Sequence, residues 1–374
     1  MCIGGEKMAK NYDFEIYGQP SHYDPEERKL KVYFSEPDKG INKKTGILLF
    51  IAGFGGHANS NVYKKMRSVF ADKYNLVTIQ CDYFGWEFMQ GANQISLSYN
   101  KTELEKNFKP EEADYIYRDN NILDRLIEIA SKYNMNISTR AVLSENLKNY
   151  NDMGTIQAID NITAVISVME IIKDNGFEFD RDKVIMYGNS HGSYLSYLCN
   201  AFAPSMFSML IDNSSWLFPR YLKNNRYINS VHGNCVLSVE FDYLAKKLDY
   251  DEEILYLPSL YKKFTNKCNI ICYHGTNDNL ISHNDKFKLK QIIGEKFIYN
   301  EIDESKIDNK LFKSTQHGLD ADFLELFDYT IKNHNFDLKD IINRKNENIS
   351  YETKMNRYLV DYRGIVPVLE LEKK

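Results

Sequence analysis

KVIMYGNSHGSYLSYL, residues 183–198, is the stretch on which the reading of the fold turns. Its first half, KVIMYG (183–188), is an apolar run of the kind found in strands buried on both faces. Its second half opens a helix predicted from His191 to Phe202. Between them lies Gly188-Asn189-Ser190-His191-Gly192, a G-x-S-x-G match. That pattern is common by chance, and its weight here comes from the strand before it and the helix after it. A nucleophile elbow needs that context. The serine occupies a strained strand-to-helix turn, flanking glycines allow close backbone approach, and the helix N-terminus faces a developing anion.

Outward from this turn, strand and helix alternate. Upstream, Ile47 to Ala52 is an unbroken apolar run ending in glycines, followed by a predicted helix (Asn61 to Lys73) and the strand LVTIQCDY (76–83). Earlier still, NYDFEIYG (11–18) and KLKVYFSE (29–36) flank a turn-rich segment and predict an edge hairpin. A helix from Met153 to Asn175 leads into the serine turn. Downstream come strand SMLIDNSS (208–215), strand NIICYHG (269–275), helix Asp285 to Ile293, strand KFIYNEI (296–302) and helix Asp322 to His334. This rhythm predicts an α/β fold, a mainly parallel central sheet with helices on both faces.

Two stretches interrupt it. Residues 87–150 are long and polar and include a predicted helix from Pro110 to Lys132; residues 216–265 read as irregular and aromatic-rich. Both follow strand ends on the side where such sheets place their sites. The expected organisation is one catalytic domain, 11–335, carrying these two insertions as a cap. Trp216 and Phe218 are its substrate-lining candidates, and Tyr221, Tyr227, Phe241 and Tyr243 add aromatic surface. A charged tail, 336–374, ends in the strand-like GIVPVLEL.

The 374 residues are 43% hydrophobic and 26% charged, a balance that supports a sizeable core. A net charge of −5 argues against a general polyanion surface, so no nucleic-acid partner is expected. Six scattered cysteines (Cys2, Cys81, Cys199, Cys235, Cys268, Cys272) contain no CxxC pair and read as reduced thiols. The opening MCIGGEKMAK lacks an apolar signal core, and the most continuous apolar helical stretch, Ile162 to Ile172, is short for a bilayer. A cytoplasmic location without membrane attachment is the expectation.

A serine hydroxyl becomes a good nucleophile only when a base takes its proton and an acid orients that base. For a nucleophile elbow the chain order is Ser, acid, His. Asp278 lies just after strand 269–275, and His317, in the loop Ser314-Thr315-Gln316-His317-Gly318, precedes a helix. Read alone, each is an ordinary loop residue; read in order with Ser190, they form a candidate triad. Asp212, directly after the SMLI run (208–211) of strand 208–215, is the alternative acid. Two backbone N–H groups are also needed for the oxyanion. His191 supplies one, and the loop Gly53-Phe54-Gly55-Gly56-His57 the other, through Phe54 with Gly55 next. That loop lacks the GxGxxG spacing of a dinucleotide cradle. Asp82 is read as shaping its loop, His57 as an exposed loop histidine, and His274 as packing at a strand end. No HExxH or other ligand cluster appears, so neither metal nor cofactor is implied.

With AGFGGH (52–57), GNSHG (188–192), HGTND (274–278) and QHG (316–318) in place, the chain resembles the α/β-hydrolase superfamily in its esterase and prolyl-oligopeptidase-like branch. The likeness covers residues 28–86 and 153–335. It implies Ser190, Asp278 and His317 as the catalytic triad and the Phe54 and His191 backbones as oxyanion donors. Two positions depart from the pattern: Ala52 stands where that loop usually has histidine, and Ser193 where a glycine often follows the elbow. The whole chain also resembles a bacterial family of this fold associated with surface-glycan or flagellar modification, which implies acyl groups on sugars. The expected function is a serine hydrolase acting on a small carboxylic ester, such as an acetylated sugar. The alternatives are an acyltransferase using the same triad and a catalytically silent ligand-binding protein.

Overall fold

The strand-like apolar runs on either side of the serine turn become strands in the computed structural model, which describes residues 8–97, 99–334 and 347–374. The chain divides into two compact units, one of Met1–Gln90, Leu147–Pro219 and Asp251–Lys374, the other of Gly91–Asn146 and Arg220–Tyr250.

The first unit is built on eight strands: β1 (Lys10–Tyr17), β2 (Lys29–Glu36), β3 (Gly46–Ile51), β4 (Leu76–Cys81), β5 (Val184–Asn189), β6 (Met209–Asn213), β7 (Asn269–Gly275) and β8 (Phe297–Ile302). They lie in the order β1-β2-β4-β3-β5-β6-β7-β8. β1 and β2 form the edge hairpin, β2 runs antiparallel to β4, and all pairs from β4 to β8 are parallel. β3 and β4 are buried at all six positions, as strands covered on both faces must be.

Five helices do the covering: α1 (Asn61–Tyr74), α2 (Thr155–Asp174), α3 (His191–Phe202), α4 (His283–Ile293) and α5 (Phe323–Asn333). Side chains alternate along each strand. Leu48, Phe50, Ile185, Tyr187, Met209 and Ile211 meet Phe70 of α1 and Phe327 of α5 in one core. α2 and α3 pack together against β3, β4 and β5. α2 has 20 residues, enough by length and hydropathy to cross a membrane, yet 78% of its apolar window is buried inside the protein. The sheet order, the single reversed strand β2 and the serine turn between β5 and α3 make this an α/β-hydrolase fold.

Residues 347–374 are not an extended tail. Three antiparallel strands, Ile349–Glu352, Asn356–Asp361 and Val368–Lys373, form a small sheet. It is tied to the end of α3 by Tyr351 Oη donating to Ala201 O (2.6 Å) and Tyr362 Oη to Phe202 O (2.7 Å). Residues 336–346 of the expected tail, and Cys2, lie outside the described residues.

In the second unit, the two interruptions share one sheet. Ile95–Leu97, Met135–Ala141, Cys235–Phe241 and Arg226–His232 are neighbours in that order. The central pair is parallel, joining segments about a hundred residues apart. The stretch read as irregular therefore contains a hairpin, closed by the two-residue turn Gly233-Asn234 with Gly233 at φ +59°. The single helix expected over 110–132 is two, Pro110–Ile116 and Ile122–Ala130. Asp119 Oδ1 accepts from Asn121 N (2.9 Å), a local turn that competes with the helical ladder. Phe241 and Tyr243 are buried in packing, whereas Tyr227 is exposed.

Candidate active site

Ser190 links β5 to α3 with φ 54° and ψ −119°, a strained conformation for a residue with a side chain. It is held there by its N–H, which donates to Asn213 O (2.8 Å), and by its carbonyl, which accepts from Tyr194 N (3.1 Å). Both glycines of the motif answer to contact. A Cβ on Gly188 would lie 2.4 Å from Gly192 C, and one on Gly192 would lie 2.1 Å from Ile51 O. Ser193 keeps the turn closed, its Oγ accepting from Asn213 N at the end of β6 (3.1 Å).

His317 and Asp278 converge on this serine. Ser190 Oγ lies 2.8 Å from His317 Nε2, and His317 Nδ1 lies 2.8 Å from Asp278 Oδ2. An ionised carboxylate only accepts, so Nδ1 carries the ring proton and Nε2 is left to accept from the hydroxyl. The other Asp278 oxygen accepts from Leu280 N (2.8 Å) and Ile281 N (3.1 Å). Burial works to raise this carboxyl, but the hydrogen bond and charge of His317, with His274 and the Leu280 N–H, outweigh it and hold Asp278 below the usual carboxylate range. The His317 loop is placed by close backbone approach. A Cβ on Gly275 would sit 2.0 Å from Thr315 O, while Gly318, at φ +80°, donates its N–H to Ser214 Oγ (3.1 Å). His274 is fully buried and its Nε2 donates to Ile281 O (3.0 Å), bracing the acid turn; burial pushes its imidazole down to about 4.

Asp212, the alternative acid, is elsewhere engaged. Its buried carboxylate accepts from Tyr197 Oη (2.8 Å), Ser215 N (2.7 Å), Ser215 Oγ (2.9 Å) and the fully buried Lys286 Nζ (2.9 Å). Burial opposes its ionisation, but Lys286 and Tyr197 together keep its pKa low. His317 bonds Asp278 instead. Asp212, the alternative acid, is thus the counter-ion of a buried lysine.

The loop after β3 lies directly on the elbow. A Cβ on Gly53 would be 2.7 Å from Asn189 O and 3.7 Å from His191 N. Gly55 N donates to Met89 O (3.0 Å), so the Gly55 N–H is already engaged within the fold. His191 is the first residue of α3, so its N–H has no intrahelical acceptor. Its side chain, fully buried, bonds Gln157 Oε1 (2.8 Å). Gln157 Nε2 donates to Asn151 Oδ1 (2.9 Å) and Phe84 O (2.9 Å), which fixes Oε1 as the acceptor and His191 Nε2 as the donor. Burial pushes the His191 imidazole down to about 3, so it is neutral. Gln157 has no distinguishing signal in the sequence, because the same helix also carries the polar residues Asp160, Asn161 and Thr163.

Phe54, His191 and Trp216 form an aromatic group. The Phe54 ring stacks on Trp216 (5.5 Å, 21°), and the His191 ring lies 5.2 Å from Phe54 and 5.4 Å from Trp216. Trp216 is 2% exposed, and Phe218 is half-buried. His57 is not the exposed loop residue expected from the sequence: it is half-buried with its ring 5.4 Å from Trp86. Asp82 accepts from Tyr33 Oη (2.8 Å), which anchors the end of β4. The five described cysteines are buried free thiols.

In sequence, no curated protein matches the chain. Among solved structures, a putative dipeptidyl aminopeptidase IV from Bacteroides ovatus is similar at 11% identity and a TM-score of 0.45, over 80% of this chain and 33% of that one. A putative dienelactone hydrolase from Klebsiella pneumoniae has 10% identity and a TM-score of 0.41, over 89% and 95%. Thermogutta terrifontis esterase 2, phosphonylated by cyclosarin, has 13% identity and a TM-score of 0.42, over 89% and 92%. The chain spans about a third of the length of the first of these. Residues 26–228 match the family described as "Protein of unknown function (DUF2920)". That match covers more than half of the 374 residues and runs from before β2 through the serine turn and beyond β6, so the chain belongs to the DUF2920 family.

Proposed function

We propose that the protein is a serine hydrolase that cleaves small carboxylic esters through an acyl-enzyme. The observation that carries this reading is the unbroken relay from Ser190 Oγ through His317 to Asp278, with both links at 2.8 Å. In the first half-reaction His317 Nε2 takes the hydroxyl proton as Ser190 Oγ bonds to the ester carbonyl carbon. The carbonyl oxygen, now negative, is received by the N–H groups of Phe54 and His191, each worth about 3 kcal/mol in such sites. The carbon–oxygen bond to the alcohol then breaks, and the proton held by His317 goes to that alcohol. Water, deprotonated by the same imidazole, attacks the acyl-enzyme, and the acid leaves with Ser190 restored. Asp278 holds the imidazole in the required tautomer throughout.

The test is turnover of p-nitrophenyl acetate by the wild type and by Ser190→Ala. The expected result is hydrolysis by the wild type and a loss of about 10⁴ or more in kcat in the variant, with its circular dichroism unchanged. Equal turnover by both proteins contradicts the proposal.

A further inference from the structure

We infer that Trp216 closes the acyl side of the site, so that the enzyme takes short acyl groups and rejects long ones; this rests on the serine-hydrolase reading above. In the sheet, β5 lies between β3 and β6. The loop after β3 carries Phe54, and the loop after β6 carries Trp216, so the two rings approach the elbow from opposite flanks. They meet in a stack, 5.5 Å apart and 21° from parallel, and both pack on His191, the residue after the nucleophile. This group belongs to the α2–α3 side of the sheet, where His191 bonds Gln157 of α2. His317 instead enters from the loop before α5, which covers the other side.

Those two sides divide the tetrahedral centre. Its oxygen points to the Phe54 and His191 N–H groups, and the leaving alcohol must face His317 to receive its proton. The remaining substituent, the acyl chain, is directed to the side occupied by the aromatic group. Trp216, at 2% exposure, fills that space with the largest side chain available. An acetyl group needs only a methyl's room, whereas a long chain has to displace a packed indole.

The experiment measures the rate at which Ser190 is labelled by p-nitrophenyl alkylphosphonates carrying a methyl or an octyl group on phosphorus. In each, Ser190 Oγ bonds to phosphorus and p-nitrophenolate leaves, so the alkyl group occupies the acyl position. The wild type should react with the methyl reagent about 100-fold faster than with the octyl one, and Trp216→Ala should raise the relative octyl rate about tenfold or more. Trp216→Leu and Trp216→Phe, which keep more of the packing, should shift the ratio the same way by less. An octyl-to-methyl ratio unchanged in every folded variant, or a wild type indifferent to chain length, overturns the inference while leaving the nucleophile assignment standing. No labelling of wild-type Ser190 by either reagent overturns both.

Discussion

Two buried aspartates, Asp212 near the end of β6 and Asp278 just beyond β7, belong to neighbouring parallel strands, and their partners separate their roles. Asp278 holds a histidine that reaches the serine; Asp212 holds a lysine with no route to it. Asp278→Asn should leave the fold intact but cost about 10⁴ in turnover, because the amide no longer enforces the imidazole tautomer. Asp212→Asn should do the reverse, lowering stability by about 3–5 kcal/mol by stranding the Lys286 ammonium in the core. Ester kinetics alongside urea unfolding of both variants checks the pair; a crippled but stable Asp212→Asn with a near-normal Asp278→Asn would exchange the assignments. The order Ser, acid, His admits both aspartates, and Asp278 is favoured in sequence by its place in the loop after the nearer of the two strands to His317. What the sequence could not show was why Asp212 is excluded, because Lys286 lies 74 positions away on a helix whose other lysines suggest only solvent.

At the level of elements, the serine turn was legible because everything it needs is local: an apolar strand, two glycines and a helix within sixteen residues. The packing that makes those glycines necessary is not local. Ile51 of β3 comes within 2.1 Å of where a Gly192 Cβ would stand, so Gly192→Ala should fail to fold or lose activity, whereas Ala at the open Gly91 should be silent. Expression and thermal melting of the two variants check this; a Gly192→Ala protein with native melting and activity would contradict the close approach. The break at Asp119 and the Gly233-Asn234 hairpin were missed for a related reason. Short turn signals were overridden by the helical reading around one and by aromatic composition around the other. The bond from Gln157 to His191 spans 34 residues between two helices and has no local signature, because Gln157 is one of several polar residues in its helix.

Across the whole molecule, buried neutral groups set the response to acid. His191, His274 and His22 are driven down by burial to about 3, about 4 and about 4, below the ordinary imidazole value of 6.5. Between those values and 6.5 the unfolded chain binds a proton that the folded one refuses, so their stabilisation is present above 6.5 and is lost as the pH falls. Asp152 opposes them: burial pushes its carboxyl up to about 7, so it gains stability as the pH drops from 7 towards 3.8. The three histidines outnumber the one aspartate, so stability falls as the pH drops from about 6 to 4. Urea midpoints at pH 7 and pH 5 should fall accordingly, and His274→Gln should flatten the slope; equal midpoints would contradict this. The measurement that tests the central claim most directly is covalent capture of the nucleophile. Incubation with a fluorophosphonate, followed by intact mass and peptide mapping, should place one adduct on Ser190. None should form in Ser190→Ala, and labelling should be greatly slowed in His317→Ala. Equal labelling of Ser190→Ala, or labelling at Ser190 that ignores the loss of His317, would contradict the account.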